Sequence, residues 1–171
     1  MNAFDGVMTI LGMVIAAYFT GLHDPTWIIS GGLGVTIAMG ISGFSGAYLT
    51  EETEKRIELD RLEKYMLRNL EKSVIGSANR FASFWAALID GLSPALAALI
   101  SLSPFILSML GWLPMRMAMN ISVGVSFLFL FTLGVYLGKI SKRNILFHGL
   151  KTLLAGGSVA VIIYFLSLKV S

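Results

Sequence analysis

Five apolar runs of roughly twenty residues, the length a helix needs to cross a bilayer core about 30 Å thick, alternate with polar stretches along the chain. They are Phe4–Leu22, Trp27–Leu49, Phe81–Leu102 with a continuation towards Leu113, Met117–Leu137 and Ile145–Leu168. The pattern predicts an all-α integral membrane protein of five transmembrane helices, whose termini lie on opposite sides because five is odd. The first run starts too early and lacks the basic stretch of a cleavable signal, so it is expected to be a retained helix. The turns are tight at His23-Asp24-Pro25, Gly111–Pro114 and Ser141–Asn144. Residues 50–80 differ: Leu59, Leu62, Met66 and Leu70 recur at spacings of three and four among charges. That spacing predicts an amphipathic helix running out of the second membrane helix from near Thr50 and ending before Gly76. The small polar run Ser73–Asn79 reads as a hinge. The chain thus divides into membrane helices 1 and 2 (residues 1–49), a polar helical segment (50–80) and membrane helices 3 to 5 (81–171), all in one membrane domain.

Composition strengthens the membrane reading. Of the 171 residues, 56% are hydrophobic and only 13% charged, and the mean hydropathy of +0.78 is far above that of a soluble domain. With no cysteine, thiolate metal sites, iron–sulfur clusters and cysteine nucleophiles are excluded. The net charge of +3 is read as a topology signal, and no nucleic-acid partner is expected. Basic residues concentrate in the second connection (Lys55, Arg56, Arg61, Lys64, Arg68, Lys72, Arg80) and the fourth (Lys139, Lys142, Arg143). The third has Arg116 and the C-terminal tail Lys169. The positive-inside rule then places the N-terminus in the cytoplasm and the C-terminus outside, in the cell membrane.

Ionisable groups within a bilayer cost roughly 2.5–3.5 kcal/mol each, so those present are candidates for function. Asp5 opens the first helix, as a hydrated N-cap or as a ligand. Asp90 lies about 13 Å into the third helix at 1.5 Å per residue. Pro94 removes the amide that would have bonded the Asp90 carbonyl, leaving a carbonyl and a carboxylate on one turn. Such oxygen groups suit a hard cation; the other reading is an Asp protonated or bonded to a neighbouring helix. Met39 and Met13 offer thioethers to a passing transition metal or are simple filler. His148 and Lys151 at the start of the fifth helix, and Arg116, read as interfacial anchors. In the second helix Gly34, Ala38, Ser42 and Gly46 recur every four residues, and Gly32, Thr36 and Gly40 form a second row. Small residues at this spacing let backbones approach closely, either in the bundle centre or at a two-fold interface. Glu51, Glu54 and Glu58 share a face of the polar helix and could collect a divalent cation. The spacings Glu51–Lys55, Glu52–Arg56 and Asp60–Lys64 equally suit ordinary surface ion pairs.

The run Phe4-Asp5-Gly6-Val7-Met8-Thr9-Ile10-Leu11-Gly12 resembles the Asp-Gly-containing first helix of the vacuolar iron transporter family. Ser42–Tyr48, followed by Leu49-Thr50 and a charged helix, is similar to that family's Gly-Glu-Tyr-hydrophobe-Ser signature. Ala97-Ala98-Leu99-Ile100-Ser101-Leu102-Ser103-Pro104-Phe105 looks like its Gly-Ala-Leu-Ile-Pro-Leu-Leu-Pro-Tyr stretch. The resemblance covers essentially the whole chain. It implies a five-helix homodimer with a metal path along the two-fold axis, exporting Fe(II) or Mn(II) from the cytoplasm in exchange for protons. Asp5 would take the place of the family's translocation ligand. Ala47 stands where the family has its signature Glu and Gly43 where it has a pore Met, with Met39 one turn away. Glu51, Glu54 and Glu58 would form a reduced metal-loading segment, and Asp90, outside the family pattern, a compensating ligand.

The expected function is therefore proton-coupled transport of a divalent transition metal, with no permanently bound cofactor and no enzymatic activity. A non-transporting dimeric scaffold or metal sensor of the same fold is the alternative, pointed to by Gly43 and Ala47. A membrane lipid enzyme needs several Asp on one face, whereas Asp5 and Asp24 fall on opposite sides.

Overall fold

The structure, a computed structural model, describes residues 2–22, 24–66, 74–142 and 144–170, with side chains for all of these but 74–76 and 170. The chain is all-helical, with α1 (Ala3–Phe19), α2 (Pro25–Met66), α3 (Val74–Met109), α4 (Met115–Ile140) and α5 (Ile145–Val170). Four of them, α2 to α5, are long and apolar enough to cross a membrane. α1, at 17 residues, spans about 25 Å.

The helix ends follow from local chemistry. Asp24 accepts the Thr26 N–H at 2.8 Å on its side-chain oxygen, capping α2 with Pro25 in the first helical position, where a missing N–H costs nothing. α1 stops at Phe19, short of Leu22, because Gly21 takes φ +69° and the Leu22 N–H turns back to the Ala17 carbonyl. Gly111 closes α3 in the same way, with the Trp112 N–H on Leu107; both are Schellman ends, which require the left-handed conformation glycine adopts freely. His23 and Arg143 lie outside the described residues.

α2 continues past Leu49 to Met66 without a break, a rod of 42 residues about 63 Å long. The hinge expected at Ser73–Asn79 is corrected: Val74–Asn79 is already helical, so α3 begins seven residues ahead of Phe81. Ser, Gly and Asn favour turns, but here Asn79 borders the polar end of α2, whose Leu59 is only 8% exposed, while Ser77 stays exposed on the helix. Leu62 and Met66 stay exposed, so only one member of the expected apolar stripe is buried among those described; Leu70, Arg68 and Lys72 fall outside the described residues.

α1 sits at the centre of the bundle, touching all four other helices, while α2 and α3 make the most extensive pairing. Val7, Ile10, Leu11 and Val14 are wholly buried. They join two core clusters, one with Ala98, Leu102 and Phe105 of α3 and the other with Ala97 and Leu130. Large apolar side chains elsewhere face outward, among them Ile37 and Ile41 at 61% and 64% exposure. In lipid such a surface needs no covering, and cohesion rests on close packing of helices rather than on exclusion of water.

Candidate functional site

Three helices converge where glycines remove side chains. A Cβ on Gly6 would run into the Pro94 carbonyl oxygen, and one on Gly91 would lie 2.8 Å from the Gly40 carbonyl and 2.7 Å from the Phe44 nitrogen. Gly43 faces Gly91 from the other side, its added Cβ 3.2 Å from the Gly91 Cα. α1 and α2 are therefore both laid on α3 within the turn that Pro94 interrupts. The carbonyl freed by Pro94 is supplied from α1: the Asn2 side-chain amide donates to the Asp90 carbonyl at 3.4 Å. An unsatisfied main-chain group inside lipid is costly, so this bond joins the start of α1 to the middle of α3.

Beside this junction lies an open cleft of about 450 Å³, bordered by Asn2 and Asp5 of α1, Met39, Ser42 and Gly43 of α2, and Pro94 of α3. Asp5 and Met39 thus border the same cleft. Asp5 is exposed and its carboxylate has no hydrogen-bond partner among the described residues; its main-chain carbonyl accepts from Thr9 Oγ1 at 2.7 Å. The cleft combines a hard carboxylate oxygen, a hydroxyl and a soft thioether. Asp90 is half-buried, and it is the Asp90 carbonyl rather than the carboxylate that is tied to the cleft, through Asn2. Met13 lies against Gly31 and the core, which is a packing role.

The two small-residue rows of α2 separate. Gly32 meets Leu102, Thr36 is buried with its hydroxyl bonded to the Gly32 carbonyl, and Gly40 meets Ala95, so this row packs on α3. Gly34, Ala38, Ser42 and Gly46 are exposed, and a Cβ on Gly34 or Gly46 would meet nothing. The bundle centre is thereby excluded for them; they form a bare stripe on the face onto which the Asp5 cleft opens.

On the polar end of α2, Lys55 pairs with Glu58 at 3.1 Å rather than with Glu51 four residues back. The hydrogen bond and charge of Glu58, with smaller contributions from Glu51 and Glu54, raise the Lys55 ammonium above its ordinary 10.5. A cation raised in this way is favoured in the folded chain below that value and loses the contribution as pH climbs through the elevated pKa. At neutral pH an ammonium already sits among Glu51, Glu54 and Glu58. His148 packs against Gly138 where α4 and α5 cross, Lys151 lies 4.7 Å over the Phe147 ring, and Arg116 is exposed. Among the described residues no group of three or more His, Cys, Asp or Glu is clustered as a metal cage.

One feature escaped the sequence reading. Ala118, Ser122, Ser126, Leu130, Gly134 and Gly138 form a buried row along α4. Ser122 donates to the Ser101 carbonyl of α3 at 2.6 Å, and Thr152 of α5 donates to the Leu130 carbonyl at 2.8 Å. The same four-residue spacing that drew attention to α2 was present in α4 and marks its actual packing seam.

Fold and cleft define an all-helical protein of the membrane-spanning type, with an acidic, thioether-lined cleft on the side of the bundle. No family model matches the chain. Over 163 residues it is 33% identical to the uncharacterized protein MJ0645 of Methanocaldococcus jannaschii, covering 94% of this chain and 82% of that protein. The chain belongs to the same family as that archaeal protein.

Proposed function

We propose that this protein is a dimeric transporter of divalent transition-metal ions, Fe(II) or Mn(II), with five membrane crossings, a cytoplasmic N-terminus and an external C-terminus. The observation that carries the reading is the opening of Asp5 and Met39 into one cleft on the same bare face as Gly34, Ala38, Ser42 and Gly46. One chain offers one carboxylate and one thioether there. A second copy apposed along the small-residue stripe would double both, giving a set of hard and soft donors that a first-row divalent ion accepts and Mg²⁺ or Ca²⁺ does not favour. Two carboxylates brought close cannot both stay ionised without a cation, so metal release would be matched by proton uptake. This is also the physical content of the resemblance to the vacuolar iron transporters. On this reading Glu51, Glu54 and Glu58 gather the ion in competition with Lys55, and Asp90, whose carboxylate does not border the Asp5 cleft, would serve as a further ligand apart from it.

The alternative of a non-transporting scaffold or sensor is favoured by Gly43. At the position that the resemblance gives to a pore methionine, a Cβ on Gly43 would lie 3.2 Å from the Gly91 Cα of α3, so any side chain there presses on that helix. Flux decides between the two. Purified protein in liposomes is expected to pass Fe(II), Mn(II) or Co(II) under an imposed pH gradient. Asp5→Asn is expected to lower the rate at least tenfold, and Met39→Leu to lower it while weakening discrimination against Mg²⁺. Correctly inserted, dimeric protein without flux would leave the scaffold reading in front.

A further inference from the structure

Where α2 and α3 leave the apolar zone, the polar end of α2 and the first turns of α3 enclose a cleft of about 250 Å³. Lys55 and Arg56 line it from α2 and Arg80 from α3, with the polar Asn79 and Ser83 between them and Glu52 as the one carboxylate. Lys55 is engaged by Glu58. Arg56 and Arg80 have no ion-pair partner among the described residues, although Glu52 and Asp60 stand four residues to either side of Arg56 on its own helix. Two arginines from different helices that border one polar cleft, neither ion-paired among the described residues, suit a phosphate, which accepts several N–H bonds.

The level of the cleft selects the source of that phosphate. From Phe81 and Phe84, which flank the cleft residue Ser83 in sequence, a chain of aromatic contacts runs into the apolar zone: Trp85 with Phe84 and Phe81 at 6.2 and 6.0 Å, Phe84 with Phe44 at 5.8 Å, and Phe44 with Tyr48 at 6.1 Å. Aromatic side chains gather where hydrocarbon gives way to headgroups. Arg80 immediately precedes exposed Phe81. Arg56 is about 10 Å along the helix from Leu49, and its side chain leans back towards the helix N-terminus, which here is towards the apolar zone. Arg80 by the same rule leans towards the start of α3, away from the apolar zone, so the two arginines stand at its boundary from opposite senses, beside exposed Leu49 and Phe81 as a surface for acyl chains.

We propose that Arg56 and Arg80 form a binding site for the phosphate headgroup of an anionic phospholipid, with Asn79 and Ser83 as the polar floor of the cleft. The site is separate from the Asp5 cleft and does not depend on transport. It would fix the height and tilt of the α2–α3 pair against the bilayer.

The test uses Trp85, two residues after the cleft residue Ser83 on α3, in the full chain carrying Trp27→Phe and Trp112→Phe so that it is the only fluorophore of its kind. Reconstitution into phosphatidylcholine vesicles with brominated phosphatidylglycerol is expected to quench Trp85 at a lower mole fraction than brominated phosphatidylcholine does. Arg56→Gln with Arg80→Gln should reduce the relative association of the anionic lipid by about 25-fold, two cations at about fivefold each. Arg116→Gln should leave it unchanged. Should the double variant lose helicity, Arg80→Gln alone at its exposed position must shift the preference about fivefold. Equal quenching by the two lipids in the unaltered arginine background overturns the proposal. So does abolition of the preference by millimolar inorganic phosphate but not by chloride of matched ionic strength, which would assign the site to a free anion.

Discussion

Gly6 shows how much of this protein rests on the absence of a side chain. Its neighbour Asp5 faces the cleft, while Gly6 itself lies against the Pro94 carbonyl. A methyl group cannot be accommodated there unless main chain moves, and overpacking of this kind costs about 1–3 kcal/mol. Gly6→Ala is therefore expected to lower the thermal midpoint of the detergent-solubilised protein by several degrees, whereas Gly34→Ala, with open space around it, should leave a single chain unchanged. Equal effects of the two would mean that α1 does not approach α3 as described. Asp5 was legible in the sequence because a charge in an apolar run stands out against the solvation cost. The glycine beside it was not, because its reason lies on a proline 88 positions further along the chain. The same holds for Asp90. Sequence reasoning identified the carbonyl freed by Pro94, but that Asn2 would supply the donor depends on a contact between helices that no local pattern encodes.

At the scale of elements, α3 is a helix carrying two internal prolines, each compensated by a side chain. Pro94 is answered by Asn2, and the carbonyl of Ile100, four residues before Pro104, accepts from Ser103 Oγ at 2.7 Å. Ser103 is on the exposed face, where lipid offers no substitute donor. Ser103→Ala is expected to destabilise the protein by about 1 kcal/mol, on the scale of side-chain hydrogen bonds in membrane helices, while Ser158→Ala on α5, where no proline follows, should have a smaller effect. Chemical denaturation in mixed micelles, with both variants side by side, checks the difference. The helices themselves were readable because each lies on an apolar run, and four of them are long and apolar enough to cross a membrane. Their ends were less so. Ser73–Asn79 carries turn-forming residues, yet helix continues through its described part because α2 provides a long neighbour to lie against, and tertiary packing outweighs a weak local preference. Along α2 two small-residue rows look alike in sequence, and only the position of α3 distinguishes the packed row from the bare one.

For the whole molecule, the contrast between a crowded centre and a bare periphery is the dominant property. The bare stripe of Gly34, Ala38, Ser42 and Gly46 runs beside the row of Ile37, Ile41 and Leu49, which are largely exposed, and the proposed dimer uses this face. Because the chain has no cysteine, single replacements give clean cross-links. Ser42→Cys is expected to form a disulfide-linked dimer in membranes under mild oxidation, and Leu154→Cys on the exposed face of α5 is not. Cross-linking through position 154 alone would move the interface to α5 and separate the two Asp5 cleft faces. The bare periphery was legible only as hydropathy, since an apolar residue that faces lipid and one that faces a second copy look the same in sequence. The central position of α1 has a consequence for how the molecule is made. Its wholly buried residues are completed by partners on α3 and α4, and it also packs on α5, all of which are translated after it. A short helix that emerges early must therefore wait, held by lipid or by the insertion machinery, until the rest of the chain has left the ribosome. Biogenesis would be most vulnerable in that interval, so a polar substitution such as Leu11→Asn should reduce the yield of inserted protein well before it alters the stability of whatever matures.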